Sequence, residues 1–302
     1  MGKSITHKVS KTMKKIQIEK YGMFSGRKIV IATMHKKEMA IGPILKKQLG
    51  LDIVVPHHFN TDCFGTFTRE IERKGSQLET AKAKAYAAMQ ATGLDLAIAS
   101  EGSFDAHPSM PFIQSNLELV LLIDSKNNLE IRGHYRTSKT NINSAYVESV
   151  EEVIALAREW KFPYYGVILR KSEYEKEGIY KNLQTEKDLK IAAAKLLASN
   201  SQKKIFIETD MRAHKNPARM QAIKHATMNL IKNIKSTCKE CKMPGFVVTD
   251  LQKGLKCSWC LMPTDLPIYE IYTCAKCGFS LKKPTAKYGD LADPKYCNLC
   301  NP

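Results

Sequence analysis

The sequence predicts an α/β fold, a mixed sheet flanked by helices, followed by a C-terminal zinc-ribbon module. Three observations predict it. Short β-branched runs alternate with helical segments up to about residue 235, capping residues stand at the helix starts, and eight of nine cysteines fall in four C-x-x-C pairs within the last 65 residues. The implied organisation is a basic N-terminal segment over 1–26, an α/β domain with a ligand cleft over 27–235, and a four-cysteine zinc-ribbon module with two sites over 236–302.

Strands are expected at 28–33, 52–55, 94–99, 117–123, 129–133, 164–169 and 204–208, each a short apolar, β-rich run. Ser76-Gln77-Leu78-Glu79 has the form of a capping box and opens an Ala-rich helix ending near Gly93. Val147, Val150, Ile154, Ala157 and Trp160 form one apolar stripe, and Leu189, Ala192, Ala193, Leu196 and Leu197 form a second behind a Thr185 cap. A third runs through Met220, Ile223, Thr227, Leu230, Ile231 and Ile234. It starts with Asn216 as cap and Pro217 at the first helical position, where a missing N–H costs nothing.

Composition excludes several classes. With 302 residues and 43% hydrophobic content the chain is neither disordered nor a small disulfide scaffold. No apolar run approaches the roughly 18 to 20 residues of a membrane span; the strongest, 117–123, is interrupted by Glu118 and closed by Asp124. Residues 1–25 lack the apolar block of a secretory signal, so a reducing cytoplasm is expected, although Gly2-Lys3-Ser4-Ile5-Thr6 fits a myristoylation pattern. The net charge of +17 sits at the ends: +10 over 1–50, −2 over 51–202 and +9 over 203–302. Basic ends make nucleic acid a candidate partner through phosphate contacts.

The cysteine pairs are Cys238/Cys241, Cys257/Cys260, Cys274/Cys277 and Cys297/Cys300. Spacers of 15 residues between the first two pairs and 19 between the last two suit consecutive knuckles folding around one tetrahedral zinc each. A cross-braced scheme, first pair with third and second with fourth, is the alternative pairing, and an iron centre the alternative ion. Two structural zinc ions are expected. Four thiolates per ion leave no position for water, so the zinc stabilises rather than catalyses. Gly278 suits a knuckle turn, and Cys63, with no close His, reads as an idle thiol.

Three strands run into polar residues: the first into Met34-His35-Lys36-Lys37-Glu38, the third into Ser100-Glu101-Gly102-Ser103, the last into Thr209-Asp210-Met211-Arg212-Ala213-His214. Strand C-termini in open α/β sheets form the ligand crevice, so these segments are expected to share one cleft. Glu101, Asp210, Arg212 and His214 are the candidate catalytic set. Thr33, His35, Lys37 and Glu79 are the candidate cofactor-binding set, Glu79 also being the acid of the capping box.

Ala32-Thr33-Met34-His35-Lys36-Lys37-Glu38, Ser100-Glu101-Gly102-Ser103-Phe104, the stretch from Glu208 to Met220, and Gly254-Leu255-Lys256-Cys257 with Pro263-Thr264 resemble an uncharacterised bacterial domain-of-unknown-function family with a C-terminal double zinc ribbon. More remotely, the Thr-x-His-x-Lys turn, Glu79-Thr80-Ala81, Lys84-Ala85 and Glu101-Gly102 are similar to the inosine/xanthosine triphosphatase superfamily over 28–104. That resemblance implies Mg²⁺-dependent attack of water on a nucleoside triphosphate, with Glu101 and Glu79 holding the metal and Lys37 the phosphates. His35 stands where those enzymes carry Asn, and the acidic pair many carry before a Ser-Gly is missing. The function expected is therefore a metal-dependent hydrolase acting on a nucleotide or similar phosphorylated small molecule. The alternative is a non-enzymatic zinc-ribbon protein that binds nucleic acid or a protein partner.

Overall fold

The computed structural model describes residues 22–66, 68–285 and 287–302; most of the basic N-terminal segment and its Gly2 pattern lie outside the described residues. Two compact units emerge, one running to Lys126 and resuming over Arg132–Ile231, the other formed by Asn127–Ile131 and Lys232–Pro302. The turn near residue 127 belongs with the cysteine module, where Lys276 Nζ donates to the Asn127 carbonyl (2.8 Å). Among the described residues no helix is long and apolar enough to cross a membrane.

The first unit is a mixed α/β body. Its larger sheet has the order β2-β1-β3-β4-β5, with β1 at Lys28–Ala32, β2 at Asp52–Val54, β3 at Leu96–His107, β4 at Met110–Asp124 and β5 at Leu129–Thr137. β1 is parallel to both β2 and β3, whereas β3 and β4 are antiparallel. Helix α1 (Glu38–Leu49) joins β1 to β2, and α2 (Gln77–Thr92) precedes β3. Ser76 and Glu79 cap α2 reciprocally, and Gly93, left-handed at φ 69°, ends it. Ala81, Ala85 and Ala88 then let this helix lie close on Val30, Ala97, Ala99 and Leu121.

A second, antiparallel sheet has the order β6-β8-β7, from Ser144–Val147, Ile205–Thr209 and Val167–Arg170. Helices α3 (Val150–Glu159) and α4 (Glu186–Ser199) cover it through Val153, Ile154, Leu189, Ala193 and Leu196. Thr185 caps α4 as its sequence predicts. Helix α5 (Pro217–Lys235) begins at its proline, with Asn216 Oδ1 accepting from the Arg219 N–H (3.0 Å).

Two local expectations are corrected. Val147 belongs to β6, paired with Ile205, and not to the following helix, which Ser149 starts by accepting from the Glu152 N–H. The third strand does not stop at Ala99. It continues through Ser100, Glu101 and Gly102 because β4 pairs with every one of these residues, so polar side chains sit on a hydrogen-bonded strand instead of a loop.

Gly133 on β5 faces α5 so closely that a Cβ would overlap the Ala226 carbonyl and the Leu230 backbone and lie 2.6 Å from Leu230 Cβ. Backbone cannot step aside as a side-chain tip can. Gly133→Ala is expected to cost about 3 kcal/mol, at the upper end for overpacking, read as a lower denaturation midpoint at unchanged slope.

The second unit is built on an antiparallel sheet ordered β11-β10-β9, from Ser280–Pro284, Pro267–Cys274 and Phe246–Lys253. Its core around the first cysteine group is small: among the described residues Phe246 is the only large apolar side chain fully inside, flanked by Tyr272, Phe279 and Leu281.

Candidate functional site

β1 ends at Ala32, whose partner on β3 is Ala99, so from Ser100 onward β3 has lost that neighbour. Side chains replace the missing strand. Lys37 Nζ donates to the Ser100 carbonyl (2.7 Å), Gln77 Nε2 to that of Glu101 (2.7 Å), and Arg73 to that of Gly102 (2.9 Å). Above β1 the chain turns at Thr33, whose Oγ1 accepts from the backbone N–H of His35 (3.2 Å) and Lys37 (3.4 Å). The outcome is a cavity lined by Thr33, His35, Lys37, Asp62, Lys84, Glu101, Arg212 and Arg219 among others.

The three distant stretches therefore meet. Glu101, only 3% exposed, pairs with Lys84 and lies 3.4 Å from Arg73. Burial pulls its carboxyl upward, but Lys37, Lys84 and Arg73 overcome that and hold it below the usual carboxylate range. Burial lowers Lys37 to about 8 against the attraction of Glu101. Arg219, in the first turn of α5, donates from Nε to Glu118 (2.7 Å) and from Nη1 to the Met211 carbonyl (2.6 Å). Both ends of that ion pair are buried, Glu118 completely.

The third stretch is shaped by two backbone bonds around Gly166: Asp210 N–H donates to its carbonyl (2.8 Å), and its own N–H donates to Lys215 (2.9 Å). Asp210 itself does not line the cavity. It grips Arg212 through Nη2 (2.6 Å) and through the backbone N–H (2.9 Å), holding that guanidinium in the wall. His214 stacks on His35, centroids 5.1 Å apart and planes within 10°. His35 Nε2 bonds Asp62 Oδ1 (2.9 Å). Burial, then His35 and Arg212, depress His214 to about 4, so it is neutral at pH 7, and its buried Nδ1 has no hydrogen-bond partner among the described residues.

Glu79 lies apart from this group. It is exposed, accepts from the Ser76 N–H (2.7 Å) and completes the capping box that the sequence assigns to it beside the cofactor-binding role. Lys84, Arg219, Asp62, Arg73 and Glu118 stand outside the candidate sets drawn from the sequence, although Lys84 carries part of the remote resemblance. Two had signals: Lys84 interrupts the buried face made by Ala81, Ala85 and Ala88, and Glu118 interrupts an apolar strand. A charge at a core-facing position is costly unless partnered, which marks it for attention.

The enclosed space is only about 20 Å³, about one water molecule. Beside it lies an open groove of about 470 Å³, lined by Thr33, Met34, Lys36, Glu38, Val55 and Phe59 among others, with His57 and His58 on its wall. Thr33 belongs to both. The segment between β2 and α2 supplies much of the cavity wall, including Thr61, Asp62, Gly65, Thr66 and Thr68. It is tied to the second sheet by Arg69 with Glu208 (2.8 Å) and by Arg170 donating to the Thr68 carbonyl (3.1 Å).

The cysteines form two groups able to hold a metal ion: Cys238, Cys241, Cys274 and Cys277, and Cys257, Cys260, Cys297 and Cys300. The pairing is cross-braced, first with third and second with fourth, and not consecutive. β10 explains it by returning antiparallel to β9, which sets Cys274 opposite Phe246 and so beside the first knuckle. The fourth knuckle likewise reaches the second, where Cys257 bridges Ala292. In each knuckle the N–H just past the second cysteine bonds the first cysteine's carbonyl, from Lys242, Leu261, Gly278 and Asn301 (2.8–3.1 Å). Cys63 belongs to neither group; its thiol donates to the Asn60 carbonyl (3.1 Å).

A family model described as a domain of unknown function, DUF6671, matches residues 84–302. No curated protein matches the chain.

Proposed function

Taking as premise that this chain belongs to the DUF6671 family, whose function is unknown, we propose that it hydrolyses a nucleotide or similar phosphorylated small molecule at the Glu101 cavity. One observation carries the reading: Lys37, Lys84, Arg212 and Arg219, from two helices and two connecting segments, converge on one cavity beside a groove of ligand size. Such a cluster suits the charge that develops on a phosphoryl group in transfer. The cavity accommodates a phosphoryl oxygen or the attacking water, and the groove is large enough for the remainder of the ligand. In this reading the first unit is the catalytic domain, the cysteine module an accessory domain, and the compartment a reducing cytoplasm in which eight thiolates remain metal-bound.

The module's ions are zinc in this proposal. Sulfur separations of 3.6–3.9 Å across each group match the roughly 3.8 Å edge of a tetrahedron with zinc–sulfur bonds of about 2.3 Å. The cavity does not fit a dedicated divalent cage. Among the described residues only the cysteines bring three or more His, Cys, Asp or Glu ligand atoms together, and Glu101 is already paired with Lys84. Mg²⁺ accordingly enters as part of the nucleotide substrate, and the side-chain cations supply the protein's share of charge neutralisation.

The test is release of phosphate or pyrophosphate from a panel of standard, inosine and xanthosine nucleoside triphosphates with Mg²⁺. Glu101→Gln is expected to lower kcat/KM at least about 100-fold with metal content unchanged and the melting temperature lowered, because it loosens Lys84 and Arg73 and leaves the buried Lys84 without its carboxylate. Lys37 adds a pH signature. Its folded value of about 8 lies below the 10.5 of free lysine, so across that window the unfolded chain holds a proton the folded chain has shed. Stability from this group therefore rises with pH over the window, while binding of inorganic phosphate falls, and Lys37→Met flattens both.

A second reading, binding of nucleic acid by the cysteine module, draws on four lysines poised over tyrosine rings: Lys282 on Tyr269, Lys283 on Tyr272, Lys287 on Tyr288 and Lys295 on Tyr296 (4.2–5.1 Å). Absence of turnover in the panel together with strongly salt-dependent binding of single strands favours it over hydrolysis.

A further inference from the structure

Resting on the hydrolase reading, we propose that Asp62 and His35 form the proton-accepting pair of the reaction, His35 as the catalytic base and Asp62 as its positioning residue. The other ionisable groups of the site are committed. Glu101 is held by Lys84 and Arg73, Asp210 by Arg212, and Glu118 by Arg219. A carboxylate clamped by a cation is a weak base. Lys37 is a donor, with one N–H on the Ser100 carbonyl.

His35 differs in kind. Its Nε2 bonds the Asp62 carboxylate at 2.9 Å, and although burial pulls Asp62 upward, the bond from His35 holds that carboxyl below its usual range. An ionised carboxylate only accepts, so the Nε2 carries the proton of that bond and Nδ1 is the ring nitrogen left to accept one. The imidazole is largely buried and lines the cavity whose volume is that of about one water. The groups facing it are Asp62 from the loop before α2, His214 stacked on one ring face, and Lys37, Lys84, Glu101, Arg212 and Arg219 around the cavity. His214 is neutral at pH 7, so it shields that face from solvent without adding a like charge.

In the step, the water oxygen bonds to phosphorus as the phosphoanhydride P–O bond breaks. The water proton passes to His35 Nδ1, and the electron pair of the broken bond leaves on the departing phosphate oxygen, beside the cluster of cations. The resulting imidazolium is stabilised by Asp62. The proton is returned to solvent on product release.

The experiment measures kcat and KM across pH on the nucleoside triphosphate that the panel identifies, for the whole zinc-loaded protein and for His35→Ala, His35→Gln and Asp62→Asn. The expected result is a kcat loss of about 100- to 10,000-fold in both His35 variants with KM within about threefold, partial restoration of His35→Ala by added imidazole, and a smaller kcat loss with an altered pH profile in Asp62→Asn. Melting temperature and zinc content report folding. A folded His35→Ala within threefold of wild-type kcat, or one that imidazole does not accelerate, overturns the pair as base. A wild type that turns over no member of the panel overturns the hydrolase reading, and this inference with it; that failure is visible before any variant is made.

Discussion

Replacing Cys238 and Cys274 together by serine is expected to leave one zinc ion per chain, and replacing Cys238 and Cys257 together to leave none. In the cross-braced arrangement the first pair of substitutions strikes a single site and the second strikes both. Consecutive pairing reverses the two results, so metal analysis by mass spectrometry separates the schemes. The energetic consequence is large. The core around the first site contains one large buried side chain, Phe246, worth about 2 to 3 kcal/mol, whereas a structural zinc contributes on the order of 10 to 16 kcal/mol. Stripping both ions with a strong chelator is thus expected to abolish amide protection throughout β9–β11. Persistent protection in metal-free protein contradicts the structural role.

Arg219→Met is expected to destabilise the first unit by about 3 to 5 kcal/mol, roughly 10 °C in melting temperature for a body of this size. The cause is the acid left behind: Glu118 is wholly buried in β4, and its Oε1 contact to Arg219 Nε is lost. Gly102→Ala is expected to do similar damage by another route. Gly102 stands opposite Glu118 across β3 and β4, and a Cβ there would overlap the Arg219 guanidinium and lie 2.8 Å from Glu118 Oε1. Joint replacement, Glu118→Leu with Arg219→Met, is expected to recover most of the stability, since two apolar side chains leave no orphaned charge. Calorimetry on the three variants decides it; equal losses in the single and double changes rule out the buried-charge explanation. Because Arg219 also lines the cavity, the double variant is expected to remain weak in phosphate binding even when its stability returns.

Local chemistry was readable in the chain. Ser76, Thr185 and Asn216 cap the helices their spacing announces, because a cap and its recipient N–H are only two or three residues apart. Strand ends were less readable. The third strand's extension past Ala99 depends on β4, and Ser100-Glu101-Gly102 has no apolar run to reveal it. Glu101, Arg212 and His214 were identifiable as polar residues following apolar strands. Lys84 and Glu118 were legible as charges on buried faces, but Asp62 and Arg219 carried no such mark in their neighbourhood.

By itself the sequence determined which cysteines are placed to hold a metal ion and how each knuckle turns, since two cysteines three positions apart need only a tight local bend. It also determined where the helices capped by Ser76, Thr185 and Asn216 begin, and most of the segments apolar enough to become strands. Only the tertiary structure decided how the four knuckles pair, that Arg219 neutralises a glutamate 101 positions away, and that His35, Asp62 and His214 assemble beside Glu101. The physical reason is range: caps and turns are fixed by hydrogen bonds over a few residues, whereas pairing across the body depends on which strands lie side by side and in which direction they run.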